Sequence, residues 1–261
     1  MAGSEATLSE PQQHLSLDLR HRLGTLEINT TFHLTQPWTV LFGPSGSGKS
    51  TILRAIAGLL RPRQARITLQ WDQHGTQVAV DTAARIFVPA HQRFVRWSAQ
   101  RPALFPNMTV RENLRFVTPG PGPDRTLDAA IERFRLAPVA DRKPATLSGG
   151  EQQRVSIARA AIASEGRLLL LDEPFTGLDA PLRDELLANL QAWLAQTKTP
   201  VLSVTHDVSE AFQLGAEVIR IHEGTVNQQG PAAVVLAQQR EHLLRQLSGS
   251  LEQPHSLRTE N

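Results

Sequence analysis

Between Val40 and Thr51 the chain reads VLFGPSGSGKST, and Gly43, Gly48, Lys49 and Ser50 fit the spacing G-x-x-x-x-G-K-[ST]. Residues of these types at this spacing can cradle phosphate. Glycines let backbone N–H groups turn inward where a Cβ would obstruct them, and a helix opening near Lys49 adds the positive end of its dipole. Gly43, Pro44, Ser45, Gly46, Ser47, Gly48, Lys49, Ser50 and Thr51 therefore form a candidate phosphate loop. In such a loop Lys49 neutralises the β- and γ-phosphates, and the Ser50 hydroxyl sits on Mg²⁺. A second candidate is LLLLDEP, where Asp172 and Glu173 end an apolar run ahead of Pro174. Neighbouring strand residues point to opposite sides, which predicts separate tasks. Asp172 could hold Mg²⁺ while Glu173 orients or deprotonates a water.

Two further stretches carry chemistry only in context. In LSGGEQQR, Leu147 to Arg154, Ser148 and Glu151 have capping-box spacing and predict a helix start. A cap alone does not call for consecutive glycines, and Gly149 and Gly150 leave bare N–H groups there, a second anion site. His206 ends the buried run SVTHD, and Gln100 ends FVRWSAQ. A lone histidine is more often structural than catalytic, and the other histidines form no zinc-like H-x-x-x-H pair.

The elements that must position these residues are legible from periodicity. WTVLF predicts a strand before the phosphate loop, and STILRAIAGLL a helix after it. LSLDLRHR and TLEINTTFHL alternate apolar and polar residues around Gly24, an antiparallel hairpin. RPRQARITLQWD, TQVAVD and RFVRWSAQ read as further strands; MTVRENLRF and TLDAAIERFRL, parted by TPGPGPD, read as helices of an inserted lobe at about residues 101–164. The remainder alternates buried strands (RLLLLDEP, TPVLSVTHD) with a long helix, LRDELLANLQAWLAQ. It then closes with a hairpin, AEVIRIHEGTVNQQG, and one final helix, PAAVVLAQQREHLLRQL. Apolar strands alternating with helices predict a parallel sheet covered on both faces.

Composition narrows the class. The chain has 261 residues, 40% apolar and 20% charged, as in soluble globular proteins. No apolar run approaches the ~18 residues of a membrane span. Nor does the start, MAGSEATLSEPQQH, look like a secretory signal. Without cysteine there is neither a disulfide framework nor a thiolate metal site, and a cytosolic address is the simplest expectation. The pI of about 9.6 is no nucleic-acid footprint. Net charge is only +2, the arginines are scattered, and Lys49, Lys143 and Lys198 are the only lysines in a chain without tyrosine. Few groups titrate near pH 10, so a small positive excess stretches the pI.

Taken together, these features resemble the ATP-binding cassette ATPases over about Leu15 to Leu247. The resemblance implies an α/β fold: a P-loop NTPase with a mainly parallel sheet core, an antiparallel β subdomain and an inserted helical subdomain. The cassette would span residues 13–247, between flexible ends at 1–12 and 248–261. Residues 43–51 match the phosphate loop, Gln100 the Q-loop residue, 147–154 the signature, 168–173 the Walker B strand, Asp179 of TGLD the D-loop residue and His206 the switch histidine. ATP and Mg²⁺ are the implied cofactors, and Ser50, Gln100 and Asp172 the implied metal contacts. Glu173 resembles the general base, with His206 and Gln100 assisting. A second copy of the chain is the implied partner, its Ser148, Gly149 and Gly150 closing over the ATP. An adenine-stacking aromatic is absent from the first hairpin, which offers His21 or Arg22.

Three uses of the ATP are compatible with the cassette: an importer ATPase docked on a membrane permease, an exporter or lipoprotein-release cassette, or a soluble non-transport cassette. RPALFPNMTVRENLRF, after Gln100, resembles the coupling segment of importers. That implies a peripheral position on the inner face of the cell membrane, an integral permease, an extracytoplasmic solute-binding protein acting indirectly, and no nucleic-acid partner. Val80 to Leu114 is most similar to molybdate or tungstate importer ATPases. Those commonly carry a C-terminal oxyanion-binding domain, which this sequence, ending soon after the cassette, is expected to lack.

Overall fold

A computed structural model describes residues 14–71, 75–118 and 125–249. The expected flexible N-terminus, residues 250–261 of the expected tail and most of TPGPGPD lie outside the described residues, whereas residues 248 and 249 of that tail close the last helix. The chain starts with the hairpin β1 (Leu15–Leu23) and β2 (Leu26–Leu34), then β3 (Trp38–Phe42), the phosphate loop and α1 (Lys49–Ala57). Next come β4 (Gln64–Trp71), β5 (Gly75–Asp81), β6 (Ile86–Phe87) and β7 (Val95–Ser98). Three helices follow, α2 (Val110–Arg115), α3 (Arg125–Arg133) and α4 (Gly149–Ala163). The last part runs β8 (Leu168–Asp172), α5 (Ala180–Gln196), β9 (Val201–Thr205), α6 (Val208–Gln213), β10 (Glu217–His222), β11 (Thr225–Pro231), α7 (Ala232–Val235) and α8 (Ala237–Gly249).

Two sheets organise these elements. One is antiparallel, in the order β2-β1-β4-β5-β6; the other, β11-β10-β3-β9-β8-β7, is parallel except for its edge pair β10–β11. The central strands β3, β8 and β9 are buried at every position and largely apolar because both faces of the sheet are covered there. Leu41, Leu168, Leu170, Leu202 and Ile219 face α1 and the antiparallel sheet. Val40, Phe42, Leu169, Leu171, Val201 and Val218 face the opposite side, with α4 and α5. Side chains that alternate by two thus fill two separate cores. The helices α2 and α3 pack on α4, which packs on β7 and α5.

Three expectations need correction. The final helix is two: Leu236 leaves helical geometry at φ −107°, separating α7 from α8. The strand read through Gln100 ends at Ser98, so Gln100 lies in the loop beyond. The helix after the phosphate loop stops at Ala57 rather than Leu60, because Gly58 adopts a left-handed cap at φ 82°. The neighbouring buried Arg93, which sequence reasoning did not single out, fixes that end. Its Nη1 donates to the Ala55 and Ile56 carbonyls at 2.7 and 2.8 Å, and its Nε to Val88 at 2.8 Å. Burial lowers its pKa to about 10, yet the cation satisfies the orphan carbonyls of the helix end.

Candidate nucleotide site

The phosphate loop is held by backbone contacts that only glycine permits. A Cβ on Gly43 would run into the Ile221 carbonyl of β10, and one on Gly48 would lie 3.0 Å from Ile28 of β2. Gly46 and Gly48 also take left-handed φ values of 80° and 99°. Gly43→Ala should therefore cost about 2 kcal/mol or more by overpacking, seen as a melting temperature about 5 °C lower. An unchanged melting curve would show that the clamp is loose.

Inside the loop Lys49 is buried, and its Nζ donates to the carbonyls of Gly43 and Pro44, both at 2.8 Å, with Ser47 Oγ at 3.5 Å. Burial lowers the Lys49 pKa, and the nearby Glu173 and Asp172 charges oppose that shift. The ammonium is thus desolvated and poised for a better anionic partner. Ser50, in the first turn of α1, donates through Oγ to Asp172 Oδ1 at 3.0 Å. Burial raises the Asp172 pKa, the Ser50 hydrogen bond lowers it, and Glu173 raises it further. One hydroxyl beside one carboxylate is an all-oxygen donor pair. It suits Mg²⁺, which takes one or two carboxylates plus substrate phosphates rather than a complete protein cage.

Glu173 is where three elements meet. Its Oε2 accepts from Gln100 Nε2 at 3.1 Å and from Thr176 Oγ1 at 3.3 Å, while Oε1 lies 3.5 Å from His206 Nδ1. The side chain is 17% exposed. Strand alternation does not part it from Asp172, as the sequence suggested. Glu173 lies just beyond β8 with φ 48°, a left-handed turn that rotates its carboxylate away. Such strained conformations concentrate at functional sites. Thr176 was missed in the sequence, because only the loop's curvature brings its hydroxyl back to Glu173.

The sheet order explains the convergence. The phosphate loop follows β3, His206 follows β9, Glu173 follows β8 and Gln100 lies just beyond β7; these strands run side by side as β3-β9-β8-β7. All are parallel, so their carboxyl ends open into one crevice, where ligands of such sheets bind.

The remaining candidates stand apart. Ser148 caps α4 with the expected box: Oγ accepts from Glu151 N at 3.3 Å, and Glu151 Oε2 accepts from Ser148 N at 2.7 Å. That backbone hydrogen bond holds the Glu151 carboxyl below the usual range. Asp179 Oδ1 accepts from Leu182 N at 3.0 Å, capping α5. Among the described residues, the side chains of Ser148 and Asp179 bond only within these helix starts. Gly149 is exposed, and a Cβ there would meet nothing within 4 Å; on Gly150 it would lie 3.1 Å from Leu178. The first hairpin distinguishes His21 from Arg22. His21 pairs directly with Ile28, the residue against Gly48, so it shares the face toward the phosphate loop. Arg22 alternates to the other face, where its Nε donates to Gly24 at 3.3 Å.

A strand–glycine loop–helix unit in a parallel sheet, with an acidic strand end beside it, defines a P-loop nucleotide-binding domain. Residues 27–176 match the family model described as ABC transporter, and the chain belongs to that family. It is 41% identical over 223 residues to a Mesorhizobium japonicum protein named Molybdenum import ATP-binding protein ModC, covering 84% of this chain and 59% of that one. A Rhizobium meliloti protein of the same name is 38% identical, with 85% and 61% covered. The chain spans about three fifths of the length of these relatives. Among solved structures, an ATP-binding subunit of an ABC transporter superposes with a TM-score of 0.70 at 25% identity, covering 90% of this chain and 99% of that one. The cassette MJ0796, as a dimer in a post-hydrolysis state bound to ADP and Pi, gives 0.64 at 27% identity, with 84% and 98% covered.

Proposed function

We propose that the chain binds and hydrolyses ATP with Mg²⁺ as the nucleotide-binding subunit of an importer. The carrying observation is the convergence on Glu173 of Gln100, Thr176 and His206, beside the Lys49 loop and the Ser50–Asp172 pair. Residues 43–51 wrap the phosphates, and Lys49 exchanges its two carbonyl partners for phosphate oxygens. Ser50 and Asp172, with Gln100 at the edge, would hold Mg²⁺, which supplies charge neutralisation on the β- and γ-phosphates. Gln100 and Thr176 occupy one Glu173 oxygen and fix its rotamer. The other oxygen faces His206 and takes the proton of the attacking water. His206, 63% exposed, contacts the γ-phosphate side. His21, on the hairpin face toward the loop, lies against the base.

A second copy completes the site. Among the described residues nothing near Gly149 requires a glycine, and a demand for bare backbone from outside the chain would account for it. A phosphate bound by the partner cassette meets that demand, with Ser148, Gly149 and Gly150 at the α4 N-terminus facing it. Asp179 follows Leu178, whose side chain would lie 3.1 Å from a Cβ on Gly150, and would face the same partner. Dimeric cassettes among the structural neighbours support this arrangement.

The permease dock is read at α2. Phe116 is 62% exposed and Phe105 37%, their ring centroids 4.6 Å apart. The fully buried Asn113 pins the loop that presents Phe105, accepting from Phe105 N at 2.8 Å and donating to the carbonyls of Phe105, Met108 and Thr109. An exposed aromatic pair on a rigid loop suits an apolar anchor of a partner. Among the described residues no helix is long and apolar enough to cross a membrane, so the chain would ride on an integral permease at the inner face of the cell membrane. Molybdate or a related oxyanion is the proposed cargo, supported by the names of the relatives.

The test is co-purification of tagged chain from gently solubilised native membranes. The wild type should bring down a polytopic permease. Phe116→Glu should lose at least ~90% of it, the tenfold or greater effect of removing an anchor residue. Its melting temperature and ATP hydrolysis should stay unchanged, since the ring is exposed. Recovery of ribosomal proteins with no membrane protein would move the assignment to a soluble cassette.

A further inference from the structure

His206 is exposed, and its Nδ1 lies 3.5 Å from Glu173 Oε1, beyond strong hydrogen-bond range. Its position must come from its neighbours in the chain. Asp207, the next residue, is anchored on every side. Its Oδ1 accepts from Ser209 N at 2.7 Å and Ser209 Oγ at 2.5 Å, capping α6, and its own N–H donates to Thr205 Oγ1 at 3.0 Å. Its Oδ2 accepts from Arg183 Nη1 at 2.6 Å. Arg183 belongs to α5, and its backbone N–H donates to the carbonyl of the cap residue Asp179 at 2.9 Å.

Arg183 is the cation of an acidic cluster beneath His206. Burial pushes the Asp207 carboxyl up, but the Ser209 hydrogen bonds and the Arg183 charge hold it below its usual range. Glu210, buried one turn along α6, is pushed up by burial, and a Thr205 hydrogen bond, Arg183 and His206 oppose that rise. The guanidinium also reaches Asp184 Oδ1 through Nε at 3.3 Å. Its rigid fork therefore spans two carboxylates, which a lysine cannot reproduce. The Arg183 and Asp207 side chains are 20% and 30% exposed, unlike a solvated surface pair worth little.

We propose that Arg183 is a positioning residue that ties the start of α5, and with it the loop Thr176–Asp179, to the His206–Asp207 segment. A displacement of that loop is then transmitted to the imidazole. The inference rests on the reading of Glu173 and His206 as hydrolytic groups. In one rigid path, the loop that carries Thr176 to Glu173 also carries, through Asp179 and Arg183, the histidine on the other side of the same carboxylate.

The test uses the full chain and the variants Arg183→Met, Arg183→Lys and His206→Ala. Arg183→Met should lower kcat on the order of tenfold, as a misplaced group does, with ATP affinity within about twofold. The His206 imidazole NMR signal, assigned by its loss in His206→Ala, should shift, and Arg183→Lys should restore part of both effects. In single-turnover assays a double variant combining Arg183→Met with His206→Ala should be no slower than His206→Ala alone. A wild-type kcat in Arg183→Met, an unmoved imidazole signal, or independent losses in the double variant would each overturn the link. If Arg183→Met does not fold, Asp207→Asn, which keeps a cap but not the charge, should give the same kcat and signal changes, and their absence overturns the link. His206→Ala hydrolysing at the wild-type rate overturns the hydrolytic reading and the link together. A slow His206→Ala beside a wild-type Arg183→Met overturns only the link.

Discussion

Glu173→Gln should bind ATP normally and hydrolyse it about 10²- to 10⁴-fold more slowly, the range a general base contributes. Glutamine has the shape of glutamate, and its amide oxygen can still accept from Gln100 and Thr176, so the loop keeps its form. What disappears is the basic oxygen facing His206. With the γ-phosphate bridge intact, the ATP-bound form should accumulate as a dimer. Phosphate release, equilibrium ATP binding and gel filtration with and without ATP measure the three effects. Turnover within a few-fold of wild type would remove Glu173 from its role and shift attention to Asp172.

Lys49→Ala acts one step earlier, on binding. The ammonium is desolvated in the free protein, where it is held by two carbonyls of its own loop. Once phosphate arrives, the same burial strengthens the ion pair because little water competes. Truncating one partner of such a pair costs about 2–5 kcal/mol, which is roughly thirtyfold or more in affinity. Calorimetric titration with ATP should show that loss, while the circular dichroism spectrum stays that of the folded chain. Undiminished affinity would mean that loop N–H groups and the α1 dipole carry the phosphate alone.

The two variants separate functions that the crevice brings together. Lys49 and Glu173 belong to the loops after β3 and β8, with the His206 strand β9 between them. The lysine proposed to bind and the glutamate proposed to react can therefore be removed independently. His206 and Gln100 flank Glu173 from β9 and the β7 end, and Thr176 secures it from its own loop.

Local features of the site were legible because short contiguous stretches suffice to specify them. The phosphate loop needs glycines at its left-handed positions, a strand before and a helix after, all contiguous in residues 38–57. The cap at Ser148 and Glu151 spans four positions, and side-chain hydrogen bonding to the backbone decides it locally. Apolar runs such as LLLLD announce a strand buried on both faces, which implied the parallel sheet.

Relations between distant segments were decided only by tertiary packing. Chain order runs β3, β7, β8, β9, while the sheet runs β3-β9-β8-β7. That rearrangement, set by which apolar faces cover which, places Gln100 and His206 on either side of Glu173. The φ of 48° at Glu173 and the return of Thr176 depend on where β8 meets the α5 loop, and no periodicity encodes that. The Arg183–Asp207 bond joins residues 24 apart whose side chains look like ordinary surface charges in the sequence. Sequence by itself determined the kind of ligand proposed for this protein, because phosphate is recognised by local backbone geometry. Tertiary structure decided which groups surround Glu173, the carboxylate proposed to react, because those groups meet only when four strands lie side by side.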